Sequence, residues 1–232
     1  MENTKSSDIE ELQKKFPAAL NYLVTIFLIE REYGKAGNAK LATNLGVSKP
    51  AANQAIGRLK KHDLVEQDPY DAIKLTETGR NFAVRTLKKH YLIEHLLITR
   101  VNYPWEKSDE EAQRLQTSLS EDFTDYLYDF FGHPETCPHG NPFPDSPLEQ
   151  ELITAPRLIE APFNIPVKLI RITEEGEAEE GLLRFCHMHD LYPGKTLIVM
   201  EKMADDALRV DMHGTELRMP SEIARYLCYK IP

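Results

Sequence analysis

Over residues 16–32 apolar side chains recur at helical spacing, with Leu20, Leu23, Val24, Phe27 and Leu28 on one face, which predicts a helix with one buried side. A turn containing Gly34 and Gly37 follows, and Asn38-Ala39-Lys40-Leu41-Ala42 begins a short helix ending near Leu45-Gly46. Ser48 is a good N-cap for the next helix, which runs through Lys60-Lys61-His62 and tolerates Pro50 in its first turn. Two short helices around a Gly-containing turn predict a helix-turn-helix. Segments 64–67 and 73–76 flank the turn residues Asp68-Pro69-Tyr70-Asp71, so a β-hairpin is expected next, the wing of a winged helix.

A longer helix is expected over 78–99, with Phe82, Val84, Leu87, Tyr91, Leu92, Leu96 and Leu97 as apolar contacts. Asn102-Tyr103-Pro104-Trp105 breaks it. Ser108 or Asp109 then opens one further helix ending near Phe131-Gly132, whose run Phe123, Tyr126, Leu127, Phe130 and Phe131 suits a subunit interface or a core. Pro147, Pro156 and Pro162 mark a connector with a short helix near 148–153. Beyond Ile165 the pattern predicts a strand over 167–172, a helix over 180–188, strands over 196–201 and 208–212, and a short terminal helix capped by Ser221. Leu191-Tyr192-Pro193-Gly194 reads as a tight turn.

Charge changes the picture once it is divided. The chain carries −9 overall, but residues 1–90 hold 15 Lys and Arg against 11 Asp and Glu, while residues 91–232 hold 13 against 26. A basic first part and an acidic second part suit a DNA-contacting N-terminal region, although ordinary surface variation gives similar numbers. No run of 18 apolar residues predicts a membrane span, and MENTKSSDIEELQKKF lacks the basic start and apolar core of a secretory signal. Three irregularly spaced cysteines make neither a disulfide framework nor a CxxC pair, so a cytoplasmic setting is expected.

In a helix-turn-helix the second helix enters the major groove with its N-terminal residues leading, here Ser48, Lys49, Pro50, Asn53 and Gln54. Gln and Asn can read adenine edges, Lys can pair with phosphate or guanine, and Pro can touch a thymine methyl. Lys60 and Lys74 are candidate backbone contacts, or simply solvated lysines.

The stretches DEEAQRLQTSLS and GHPETCPHGNPFP, with Ser48, Pro50 and Gln54 in the recognition helix, resemble the diphtheria-toxin-repressor and manganese-transport-regulator family. The resemblance spans nearly the whole chain. It implies a mainly α protein with a C-terminal β-barrel, divided into a winged helix-turn-helix domain (1–77), a helical dimerisation and metal-binding domain (78–146), a linker (147–162) and an SH3-like domain related to the ferrous-iron-transport A domain (163–232). It also implies a homodimeric repressor of metal-ion homeostasis genes that binds a palindromic DNA operator.

Two metal sites are implied by the same resemblance. The positions of the primary site are Asn21, Gln113, Gln116 and Thr117 here, and Gln113, Gln116 and Thr117 are spaced to share one helical face. Neutral amides and a hydroxyl are weak ligands, so this site is expected to have lost its metal. The second site keeps His90 and Glu94, with Asp109 where a family His stands and Glu174 and Glu177 from the C-terminal part. One imidazole with several carboxylates suits Mn²⁺ or Fe²⁺, with Zn²⁺ as a competitor. The plainer reading is an ion pair beside a solvated acidic loop.

His133, Cys137 and His139 lie in a Pro-rich loop that the resemblance makes structural, and they lack an evident fourth zinc ligand. Cys186, His187, His189 and His213 read as a surface helix and turn. No nucleophile–base constellation points to an enzyme. The competing reading is a winged-helix regulator that has lost its primary site and answers to no metal, or to another ligand.

Overall fold

In the computed structural model, which describes residues 16–68 and 72–232, the first expected helix forms as Ala19–Tyr33 (α1) and stops at Gly34, whose φ of +74° suits a residue without a Cβ. Helices Asn38–Asn44 (α2) and Lys49–Lys61 (α3) follow, and the Ser48 hydroxyl accepts the Ala51 N–H at 3.3 Å as an N-cap. α3 buries Ala52, Ala55, Ile56 and Leu59 on one side, which turns Lys49, Asn53 and Gln54 outward.

The expected hairpin is Val65–Glu66 (β1) and Lys74–Leu75 (β2), antiparallel, with Val65 opposite Leu75. Pro69, Tyr70 and Asp71 of its turn, like residues 1–15, lie outside the described residues. Thr76 then starts helix Glu77–Thr99 (α4): its hydroxyl accepts the Gly79 N–H at 3.0 Å and donates to the Asp63 carbonyl at 2.7 Å. A Cβ on Gly79 would lie 1.9 Å from the Leu64 carbonyl oxygen, so only glycine admits this approach of helix to hairpin. Two compact units result, one up to Lys88 and one from Lys89 onward.

Within the second unit a 3-10 turn, Trp105–Lys107, leads into helix Ser108–Leu115 (α5), and helix Glu121–Phe130 (α6) follows. The single helix expected here is therefore two. The chain turns after Leu115, and the Ser120 hydroxyl caps a new helix by accepting the Phe123 N–H at 3.2 Å. Leu127 of α6 is core, whereas Phe123, Tyr126 and Phe130 stand exposed with their rings stacked in sequence, centroids 6.4 and 6.2 Å apart. The connector carries helix Glu149–Ile153 (α7).

Strands Pro166–Ile172 (β3), Thr196–Lys202 (β4), Leu208–Met212 (β5), Thr215–Met219 (β6) and Leu227–Lys230 (β7) form one antiparallel sheet in the order β6-β5-β4-β3-β7. Among the described residues this sheet is open: its outer strands β6 and β7 are not paired with each other, and the expected closed barrel does not form. The helix expected over 180–188 is shorter, Leu182–Met188, and is preceded by a separate one-turn helix, Glu174–Glu177 (α8, with Leu182–Met188 as α9). Ser221 does not cap the last helix, Ser221–Ala224 (α10); it is the first residue inside it, after Pro220. Leu158, Val167, Leu169, Leu183, Leu197, Val199, Val210 and Leu227 make the core beneath the sheet, and Trp105 packs against it.

Candidate metal centre and nucleic-acid interface

His90 and Glu94 sit one turn apart on α4, so their side chains leave the same face of the helix. Both are buried, and Asp109 from the first turn of α5 reaches His90: Asp109 Oδ1 lies 3.2 Å and Glu94 Oε1 3.6 Å from His90 Nε2. From the other side the Pro-rich loop brings His139, fully buried, with Nδ1 2.9 Å from Glu94 Oε1 and 3.3 Å from Oε2 of Glu177 at the end of α8. The Cys137 thiol joins Glu94 and His139 within a sphere suited to one ion, and His90, Glu94 and Asp109 make a second such trio. Glu94 belongs to both.

The loop owes its shape to local bonds. Cys137 N–H donates to the Asn141 carbonyl at 2.7 Å and Gly140 N–H to the Cys137 carbonyl at 2.9 Å, closing a tight turn. Gly140 takes φ +90° and leans on the sheet, where a Cβ would sit 2.2 Å from the Ile170 carbonyl oxygen. The Ile172 N–H donates to the His139 carbonyl at 2.9 Å, and the Trp105 ring lies 4.5 Å from the imidazole. Loop, sheet and Trp105 together leave His139 little freedom.

Burial alone would keep His90 and His139 neutral, yet the carboxylates around them win: Asp109 and Glu94 hold His90 well above the ordinary imidazole range, and Glu94 raises His139. Burial pushes Glu94 up, but the two imidazoles outweigh it and draw Glu94 below the usual carboxylate range. Glu177 goes the other way, raised well above that range by burial and by the charges of Glu174, Glu94 and Asp109. Burial and the neighbouring carboxylates likewise raise the Cys137 thiol.

His90 Nε2, both oxygens of Glu94, both ring nitrogens of His139 and Oε2 of Glu177 are buried without a partner of hydrogen-bond geometry. Leaving that many polar atoms unsatisfied is costly. A divalent cation would satisfy several of them, taking one ring nitrogen from each imidazole, and carboxylate, imidazole and thiolate donors fit a first-row transition metal.

Of the five ligands expected from the sequence, the structure brings His90, Glu94 and Asp109 together and sets Glu177 beside them through His139. Glu174 stands at the margin, accepting a hydrogen bond from the Tyr91 hydroxyl. Sequence reasoning weighed His139 and Cys137 for zinc and set them aside as part of a structural loop, outside this ligand set. Their signal was the Cys-Pro-His-Gly run, in which the Gly allows the turn that buries the His.

The altered site is different. Asn21 is half-buried in the first unit, and its carbonyl accepts the Thr25 hydroxyl at 2.8 Å. In the second unit α5 ends at Leu115, so Gln113, Gln116 and Thr117 do not share a helical face: Gln116 is buried, while Gln113 and Thr117 are exposed. Neither cluster of potential metal ligands among the described residues includes this region, and neither includes Cys186, His187, His189 or His213.

On the first unit Ser48, Lys49, Pro50, Asn53, Gln54, Lys60 and Lys74 are all exposed. Two of them have structural duties as well. Lys60 Nζ donates to the Gln67 carbonyl at 2.7 Å, and Asn53 Oδ1 accepts from Asn38 Nδ2 at 2.6 Å. Gln67 Nε2 donates to Asn38 Oδ1 at 2.7 Å, so α2, α3 and the wing are bonded to one another through side chains.

Comparison with known proteins agrees with both regions. Residues 17–73 match the family model described as iron dependent repressor, N-terminal DNA binding domain, and residues 76–145 match iron dependent repressor, metal binding and dimerisation domain. The chain is 32% identical to the iron-dependent repressor IdeR of Mycobacterium tuberculosis over 216 residues, 88% of this chain and 92% of the relative. It is 27% identical to the diphtheria toxin repressor of Corynebacterium jeikeium, over 87% of this chain and 92% of that protein. The crystal structure of T. acidophilum IdeR superposes with a TM-score of 0.71 at 27% identity, covering 92% of this chain and 97% of that one. The structure of the manganese regulator SloR gives 0.72 at 26% identity, covering 92% and 98%. With both domain models matched in order and a relative at 32% identity along nearly its full length, the chain belongs to the iron-dependent repressor family of transcriptional regulators.

Proposed function

We propose that this protein is a metal-responsive transcriptional repressor of metal-ion homeostasis genes, binding a palindromic operator as a homodimer. The observation that carries the metal reading is the convergence of His90, Glu94, Asp109, His139 and Glu177, in which His90 Nε2, both oxygens of Glu94, the ring nitrogens of His139 and Oε2 of Glu177 are buried without a hydrogen-bond partner. Cys137 lies close enough to Glu94 and His139 to be a further ligand, and Glu174 completes the margin. A bound Mn²⁺ or Fe²⁺, or a competing Zn²⁺, would supply positive charge that offsets the crowded carboxylates. DNA is read by Lys49, Pro50, Asn53 and Gln54, with Ser48, Lys60 and Lys74 near the backbone. The exposed aromatic face of α6 is the natural subunit contact within a dimerisation and metal-binding region of 78–146, joined through a linker (147–162) to an SH3-like domain (163–232). No helix among the described residues is long and apolar enough to cross a membrane, and the setting we expect is the cytoplasm.

The direct test is operator binding by the metal-stripped protein, with and without added Mn²⁺, Fe²⁺ or Zn²⁺. Binding that requires metal and disappears in His90→Ala/Glu94→Ala is the expected result. Equal, tight binding under chelation would sink the metal reading and favour the metal-independent regulator.

Affinity for Mn²⁺ should also rise with pH. His90, His139, Glu177 and Cys137 all hold their protons more tightly than usual, and a metal must displace whichever protons its ligands carry. Glu94 is already ionised and adds nothing to this dependence. Each displaced proton contributes up to about tenfold in affinity per pH unit. Calorimetric titrations in two buffers of different ionisation enthalpy would count the protons released. A count of zero would place the metal elsewhere.

A further inference from the structure

Arg171 is 1% exposed, an unusual place for a guanidinium. A register shift in the β3–β7 pairing between Leu169 and Arg171 allows the adjacent residues Arg171 and Ile172 both to be buried. Arg171 Nε donates to Asn141 Oδ1 at 2.6 Å, and its Nη1 donates to the Leu152 carbonyl at 3.2 Å. The Asn141 side-chain amide then donates twice, to the Ile172 carbonyl at 2.8 Å and to Oε1 of Glu177. Asn141 is itself fully buried, two residues after His139.

The two oxygens of Glu177 are thereby treated differently. Oε1 is engaged by the amide, while Oε2 is buried, lacks a hydrogen-bond partner and lies 3.3 Å from His139 Nδ1. A glutamate at the end of a four-residue helix would otherwise sample several rotamers, and ordering such a side chain costs entropy. A neutral donor on one oxygen fixes the carboxylate without consuming the other.

We infer that Asn141 is a positioning residue of the metal centre: anchored by Arg171, it holds Oε1 of Glu177 and aims Oε2 at the cation site beside His139. The inference rests on the reading of this centre as a metal site. Outer hydrogen bonds of this kind orient ligands, and their loss typically weakens metal binding by about 10- to 100-fold.

Titration of the full-length protein with Mn²⁺ alone, followed by the emission of its single tryptophan, Trp105, separates the two claims. If the wild type shows no saturable binding that depends on His90, the metal reading fails and the positioning role falls with it. Given such binding, Asn141→Ala is expected to weaken it by about 10- to 100-fold, and the same substitution in a Glu177→Ala background to weaken it no further. With Co²⁺ at saturation, Asn141→Ala should give an altered d–d absorption spectrum, because the released carboxylate changes how it binds. Losses that simply add, an unchanged Co²⁺ spectrum, or Mn²⁺ affinity within about twofold of wild type would each overturn the inference. Should Asn141→Ala fail to fold by circular dichroism, Asn141→Ser takes its place in the same cycle, with the same outcomes deciding.

Discussion

Replacing Glu94 with alanine is expected to lower Mn²⁺ affinity by about 100-fold or more, the largest effect of any single change in the centre. Glu94 is the residue shared by both donor clusters and the one flanked by two imidazoles. If a well-formed site contributes roughly 10–16 kcal/mol over four to six ligands, one ligand is worth about 2–4 kcal/mol. An opposing effect exists. Without Glu94 the pKa values of His90 and His139 fall, and neutral imidazoles bind metal more readily. Each unit of that fall returns about 1.4 kcal/mol, which reduces the loss but does not cancel it. Calorimetric titration with Mn²⁺ at neutral pH measures the difference. Affinity unchanged in Glu94→Ala would mean that the buried cluster is not the site.

The second large effect concerns DNA. Gln54→Ala removes an exposed amide from the outward face of α3, in the position to read a base edge. A bidentate hydrogen bond of that type is worth about 1–3 kcal/mol of discrimination. In a symmetric dimer on a palindrome the substitution acts in both half-sites, so about 2–6 kcal/mol is expected if the halves add. The loss should fall on the preferred operator and shrink on operators altered at the base concerned. Lys74→Ala, at a lysine placed near the backbone, should instead weaken all sequences alike and reduce the slope of log affinity against log salt by about 1 for each phosphate it no longer neutralises. A salt series of electrophoretic-mobility or anisotropy titrations distinguishes them, and equal loss on every sequence for Gln54→Ala would remove it from the reading surface.

The elements whose evidence is local were legible in the sequence. α1 to α4 were readable because apolar spacing, the Ser48 cap and the glycine turns all act within a few residues. Strands β6 and β7 were not. β6 is mostly exposed and offers only Leu217 and Met219 as alternating apolar positions, too few to mark a strand, and the apolar part of β7 is too short to tell from a loop. The break between α5 and α6 was hidden because Gln116–Leu119 contains no Gly or Pro, and the Ser120 cap looks like any surface serine.

The proposed metal centre divides in the same way. His90 and Glu94 announce themselves by i, i+4 spacing on a helix, whereas His139 enters from 45 positions further along the chain, through a turn that depends on Gly140 and on its approach to β3. Its burial is a tertiary fact. A histidine between Pro and Gly in a Pro-rich segment looks solvated until the sheet is in place. The buried Arg171 was equally silent, because a lone arginine in a strand ordinarily points to water.

The side-chain bonds joining Asn38, Asn53, Gln67 and Lys60 bear on how binding preference can change over evolutionary time. A residue whose only role is to face the groove can be exchanged at once, and the exposed Gln54 and Lys49 are proposed to be of that kind. Asn53 is not, because altering it also loosens its bond to Asn38 and, one step on, the wing. New operator preferences are therefore expected to arise first at positions 49 and 54, while position 53 changes only alongside compensating changes at 38 or 67. Part of the proposed reading surface is open to drift, and part is tied to the frame that carries it.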